Sequence, residues 1–128
     1  MNSKFQLLNK CYYVTEYYSK LLVNYPKSEI ILRQNIEKTQ YEMIECLFSY
    51  NINTSDRIKQ KYLKDFLIKV SMLDYYTRIS FFKKIISKRQ SEVIGNRIIE
   101  FRKMTSGLIK YDKEADAWFY LWLFTRYV

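Results

Sequence analysis

Apolar side chains recur along this chain at alternating spacings of four and three, the pattern of helices that bury one face. Leu7, Cys11, Val14, Tyr18 and Leu21 form the first such seam and predict a helix from about Ser3 to Asn24. Pro26 interrupts it, because proline lacks the N–H that an interior turn needs but suits the first turn of a following helix. Leu32, Ile36, Thr39, Met43, Cys46 and Tyr50 mark a second seam, widened by Ile31, Ile44 and Leu47. Asn51 to Thr54 breaks that pattern, and Thr54 or Ser55 is a suitable N-cap for a third helix over about Ser55 to Phe81. Its inward residues are expected to be Tyr62, Phe66, Val70, Leu73 and Ile79. Ser87 with Gln90 has capping-box spacing and opens a fourth helix, with Ile94, Ile98, Phe101, Thr105 and Leu108 as its seam.

Two glycines and one proline in 128 residues leave few places for tight turns, which excludes an all-β fold with its many hairpins. Four amphipathic helices with short links predict an all-α fold, an antiparallel up-down-up-down four-helix bundle over residues 1–113. An aromatic C-terminal tail, 114–128, follows. Within it Trp118-Phe-Tyr-Leu-Trp-Leu-Phe124 is apolar on every side yet far shorter than the ~20 residues that span a bilayer. It is expected to dock on the bundle or bury itself in a neighbouring subunit, with no membrane involved. Cys11 and Cys46 fall inside helical patterns, form no spaced cluster and follow no signal-peptide pattern. They are expected to be reduced core residues of a cytoplasmic protein.

Charge adds a partner class. The formal net charge is +9, and it is unevenly distributed. Residues 1–56 hold six basic and six acidic side chains, whereas residues 57–113 hold fifteen and five, a net of +10. The tail holds one basic and two acidic side chains, a net of −1. A codon bias toward lysine accounts for abundance but not for segregation, so a polyanionic partner is indicated. Arg57, Lys61 and Lys64 fall on one stripe of the third helix. Arg89, Asn96, Lys103 and Lys110 recur every seven residues on the fourth. With Arg78, Lys83, Lys84 and Lys88 these cations are the candidate binding residues, and the two stripes are expected to share one face. Tyr75, Tyr76, Phe81 and Phe82, interleaved with Arg78, Lys83 and Lys84, suit stacking on unpaired bases.

Candidate chemistry is sparse. The chain has no histidine, the commonest general base and zinc ligand. It has no glycine-rich loop to cradle a nucleotide phosphate. Glu37, Glu42 and Glu45 occupy helix-surface positions without the Glu-x-x-His spacing of di-iron bundles. A binding protein without catalytic residues, metal or cofactor is the expectation.

Tyr25-Pro-Lys-Ser-Glu29, Leu32 with Gln34 and Ile36, then Leu73, Arg78 and Ser87 to Gln90 follow one another in a suggestive order. With Arg102-Lys-Met-x-x-Gly107-Leu-Ile-Lys110 closing the series, residues 5–110 resemble the accessory variability determinant proteins of diversity-generating retroelements. Those proteins are similar to the four-helix-bundle proteins encoded in intervening sequences of bacterial large-subunit ribosomal RNA genes. The resemblance implies a non-enzymatic, basic, homopentameric partner of a reverse transcriptase that binds RNA and DNA without strong sequence preference and supports mutagenic copying of a template. Arg78 matches a family arginine of the third helix, so a partner-binding role is carried to it. The family commonly ends its fourth helix with Gly-Gly-Trp, where this chain has Ser106-Gly107-Leu108. The alternative is an intervening-sequence-type bundle, a protein-interaction or structural module without a retroelement role. That family's usual Asn-Ile-Ala-Glu-Gly element is replaced here by Met43-Ile-Glu-Cys-Leu47.

Overall fold

The computed structural model describes residues 3–109, with side chains from Gln6 onward. Four helices account for nearly all of them: α1 (Ser3–Leu22), α2 (Ile30–Ile52), α3 (Asp56–Phe82) and α4 (Lys88–Leu108). Among the described residues there is no strand. The aromatic tail and Lys110 lie outside the described residues.

Each boundary has a local cause. After Pro26 a single 3₁₀ turn, Lys27–Glu29, leads into α2, so the helix proper starts at Ile30 and not at the proline. Ser55 is the N-cap of α3 by its extended backbone, but its hydroxyl makes no capping bond. Ser87 and Gln90 do form a capping box: the Gln90 N–H donates to Ser87 Oγ at 3.1 Å, and the Ser87 N–H donates to Gln90 Oε1 at 2.8 Å. The end of α3 is a Schellman motif. Ile85 N–H donates to the Ser80 carbonyl and Lys84 N–H to that of Phe81, each at 2.9 Å. The motif's left-handed residue is ordinarily glycine, yet here it is Lys84 with φ 60°. A side chain costs roughly 1–2 kcal/mol in that conformation.

α2 packs on α3, α3 on α4, α4 on α1 and α1 on α2. The shared core takes Leu7, Cys11, Val14, Tyr18 and Leu22 from α1, and Leu32, Ile36, Met43 and Leu47 from α2. α3 adds Phe66, Val70 and Leu73, and α4 adds Ile94, Ile98 and Phe101. Phe66 and Phe101 meet edge to face, with ring centroids 6.0 Å apart. A smaller cluster of Tyr50, Leu63, Leu67 and Ile109 continues the core. The expected seams need adjustment at their margins. Leu22 is buried and Leu21 only half-buried, while Cys46, Tyr62, Ile79 and Leu108 are half-buried and Ile31 is exposed. Because α3 is flanked by both α2 and α4, its buried face is wider than one seam and takes in Ser71, Thr77 and Ser80.

Those hydroxyls are satisfied. Thr77 donates to the Leu73 carbonyl and Ser80 to that of Tyr76, both at 2.8 Å. With its single proton so used, Thr77 Oγ1 accepts from Tyr18 Oη at 2.7 Å, and Ser80 Oγ accepts from Tyr25 Oη at 2.8 Å.

Burial raises the phenols of Tyr18 and Tyr25 and the thiol of Cys11 above their usual values, and pushes Cys46 up to about 11. Both cysteines are free thiols. The folded chain therefore holds protons that the unfolded chain releases near its ordinary thiol and phenol values. The stability these groups contribute is fully present below about pH 8.5 and falls as pH rises from there through the folded values. Urea midpoints at neutral pH and at about pH 10.5 are expected to show this alkaline loss. Equal midpoints would show that the burial of these groups carries no linkage. No helix among the described residues is long and apolar enough to cross a membrane.

Candidate nucleic-acid interface

The cations read from the sequence fall into two groups. α3 has 27 residues, so at 1.5 Å per residue its ends lie roughly 40 Å apart. Arg57, Lys61 and Lys64 occupy its first turns, while Arg78 lies one turn before its end and Lys83 and Lys84 lie in the link beyond. Gln60 Nε2 donates to the Leu108 carbonyl at 3.4 Å, which places the end of α4 against the start of α3. Lys103 therefore belongs with the first group, whereas Lys88 and Arg89 belong with the α3–α4 link. In place of the single shared face expected from helix order, the two stripes meet only at the Gln60–Leu108 end, with Lys103 near Arg57, Lys61 and Lys64. Arg89 falls at the other end because the α4 stripe alone runs the length of its helix.

In the first cluster Lys61 pairs with Asp65 at 3.1 Å and lies over the Tyr62 ring at 4.8 Å. Lys64 is half-buried, while Arg57 and Lys103 are exposed. In the second, Arg78 pairs with Asp74 at 3.2 Å and Lys83 with Glu29 at 3.0 Å. The latter bond ties the α3–α4 link to the turn between α1 and α2. Lys84, Lys88 and Arg89 are exposed and form no ion pair among the described residues.

Local structure disfavours any side chain at Lys84 and positive charge at Lys88 and Arg89. Lys84 sits in the left-handed region. Lys88 and Arg89 open α4, whose first turn holds no acidic residue to answer the partial positive charge of the helix N-terminus. Beside them Phe81 and Phe82 are 38% and 79% exposed, with ring centroids 6.2 Å apart and planes tilted by 49°. Together with Lys84, Ile85, Ile86 and Ser87 they line a groove of about 590 Å³. Of the other expected stacking residues, Tyr75 is exposed, whereas Tyr76 packs against the core.

The cleft between α2 and α3 has the opposite polarity. Its volume is about 350 Å³, and Glu42, Glu45 and Asp65 line it with Lys69, which pairs with Glu42 at 3.1 Å. A phosphate is repelled there.

One basic residue does not belong to the surface at all. Arg102 is 3% exposed, donates to Ser71 Oγ at 3.4 Å and faces Asp74 at 3.6 Å. Asp74 thus receives both Arg102 and Arg78. The Asp74–Arg78 pair is legible as an i,i+4 spacing, but the burial of Arg102 depends on the neighbouring helix and has no local signal. Lys10 and Arg97 are likewise engaged, at 2.7 and 3.0 Å from Glu100, and Arg97 lies 4.5 Å over the Tyr13 ring. Lys10 first, then Arg97, holds the Glu100 carboxyl below its usual value. Part of the excess charge therefore stitches helices together, and the remainder faces outward. Comparison of the chain with protein-family models, curated proteins and solved structures finds no match.

Proposed function

We propose that this chain is a basic, non-enzymatic accessory protein of a diversity-generating retroelement. It binds RNA and DNA through their phosphates, without strong sequence preference, and docks on the retroelement reverse transcriptase to support mutagenic copying. It works in the cytoplasm as a homo-oligomer, a pentamer by family resemblance, needs no cofactor, and arranges its helices up-down-up-down. The Lys83–Glu29 contact, joining the end of α3 to the start of α2, and the Gln60–Leu108 contact, joining the start of α3 to the end of α4, support that arrangement.

One observation carries the reading. Eight cations elsewhere meet a carboxylate of the chain itself, whereas Lys84, Lys88 and Arg89 are three exposed cations that cluster at one link with no such pair among the described residues. An external polyanion supplies the missing partner. Binding then proceeds by release of condensed counterions, and oligomerisation multiplies individually weak contacts. Affinity for RNA and DNA measured over a salt series tests it: log affinity should fall linearly with log salt, and undetectable binding at about 50 mM ends the nucleic-acid reading.

A second reading, a protein-interaction module without a retroelement role, draws on a different surface. Ile31, Tyr41, Phe48 and Ile52 are exposed along one side of α2, at spacings that suit a helical partner. Salt-insensitive capture of a protein, without nucleic-acid binding, would favour it.

A further inference from the structure

The geometry points to the α3–α4 link as a stacking site for unpaired bases of single-stranded nucleic acid, with Phe82 as the platform and Lys84, Lys88 and Arg89 as phosphate contacts. It rests on the nucleic-acid reading above and narrows it to one strand form and one place on the molecule.

Phe82 ends α3 with 79% of its surface exposed, while Ile86, four residues on, is buried. The link thus has access to the core, yet this ring stays outside it. Phe81 and Phe82 do not stack on each other, given their 49° tilt and 6.2 Å separation. The groove they share has an aliphatic floor, Ile85 and Ile86, and no carboxylate in its lining. A planar apolar group flanked by negative charge fits such a place. An unpaired base with its phosphates has that composition, whereas a duplex keeps its base faces inside the stack.

The cations sit at costly positions: the left-handed backbone at Lys84 disfavours any side chain, and the N-terminus of α4 disfavours positive charge at Lys88 and Arg89. Glycine would relieve the left-handed strain at Lys84, and acidic residues would suit the first turn of α4 better than Lys88 and Arg89. A bound phosphate gives all three a counter-charge and also complements the α4 N-terminus. Departures from local preference that coincide at one link are the expected mark of a functional site.

The test uses the full chain, with single-stranded oligouridine of about 16 nucleotides, duplex RNA of the same length, and vesicles containing anionic lipid as probes. Phe82→Leu keeps apolar bulk and removes the aromatic face. It is expected to weaken oligouridine binding by about 5- to 100-fold while leaving duplex affinity within about twofold. Lys84→Gly is expected to raise the melting temperature and to weaken binding of both nucleic acids. Unchanged or equally reduced affinity for the two RNA forms in Phe82→Leu overturns the stacking site and leaves the electrostatic reading standing. A higher melting temperature with unchanged affinity in Lys84→Gly removes Lys84 from the site. If Phe82→Leu instead loses vesicle binding alone, the groove is a membrane contact and the inference is wrong. Failure of the unaltered protein to bind either RNA refutes the nucleic-acid reading itself.

Discussion

Reversing Lys84, Lys88 and Arg89 together to Glu is expected to lower nucleic-acid affinity by about 10³-fold at about 50 mM salt, with the helical content unchanged. Each phosphate contact contributes about 0.9 to the slope of log affinity against log salt, so three contacts contribute about 2.7. Extrapolated from 1 M to about 50 mM, that slope corresponds to roughly three and a half decades. All three side chains are exposed, so the substitutions disturb no packing, and such changes usually alter stability by less than about 0.5 kcal/mol. Arg78 and Lys83 make poorer probes than their position near the link suggests, because reversing them also breaks pairs with Asp74 and Glu29. A second triple at Arg57, Lys61 and Lys103 samples the other cluster, roughly 20–40 Å along the helices, and also breaks the exposed Lys61–Asp65 pair. A spread of charge over the whole molecule predicts equal losses from the two triples, and that result would remove the α3–α4 link as the binding face.

Asp74→Ala is expected to be the most damaging single polar substitution, at about 3 kcal/mol, or roughly 10 °C in melting temperature. The Arg102 side chain is 4% exposed, and its carboxylate partner is itself only 14% exposed. Removing that carboxylate takes a counter-charge from a cation buried away from water, and breaking a buried pair from one side costs more than the pair contributes. The lower end of the usual range applies because the separation is 3.6 Å and Ser71 still accepts from the guanidinium. Arg102→Met removes the charge and keeps a flexible apolar side chain of similar reach, so it is expected to stay within about 1 kcal/mol of the unaltered protein. Urea midpoints with unchanged slopes measure both. Should Arg102→Met prove the more damaging of the two, the guanidinium is a net stabiliser and not a buried charge held by its partner.

Helix number and extent were legible from apolar spacing because that spacing reflects burial of one face, and the Ser87–Gln90 box was legible because its bonds are local. The start of α2 was misplaced because Pro26 opens a 3₁₀ turn that leaves no periodic trace. The inward side of α3 was legible only in part. Thr77 and Ser80 look like surface residues until Tyr18 and Tyr25, more than fifty positions away, are brought onto them. For the candidate site, the sequence localised the excess charge to residues 57–113 but could not apportion it. Lys83 is paired, Arg102 is buried and Lys84 is exposed for reasons that lie in other helices or in one left-handed residue. The aromatic-cationic run was visible as a cluster, yet only the packing of Tyr76 and the exposure of Phe82 distinguish its members.

The paired phenol–hydroxyl bonds have a consequence for how uniquely the helices are aligned. An aliphatic seam is nearly degenerate: sliding one helix past another by a turn, about 5.4 Å, brings one Leu or Ile opposite another and loses little contact. Tyr18 and Tyr25 remove that degeneracy. A slipped arrangement would carry both phenols past Thr77 and Ser80 and leave two buried hydroxyls without acceptors, at about 1–3 kcal/mol each. The short polar contacts thus act as detents on an otherwise smooth surface, selecting one alignment among several that the apolar pattern alone would tolerate.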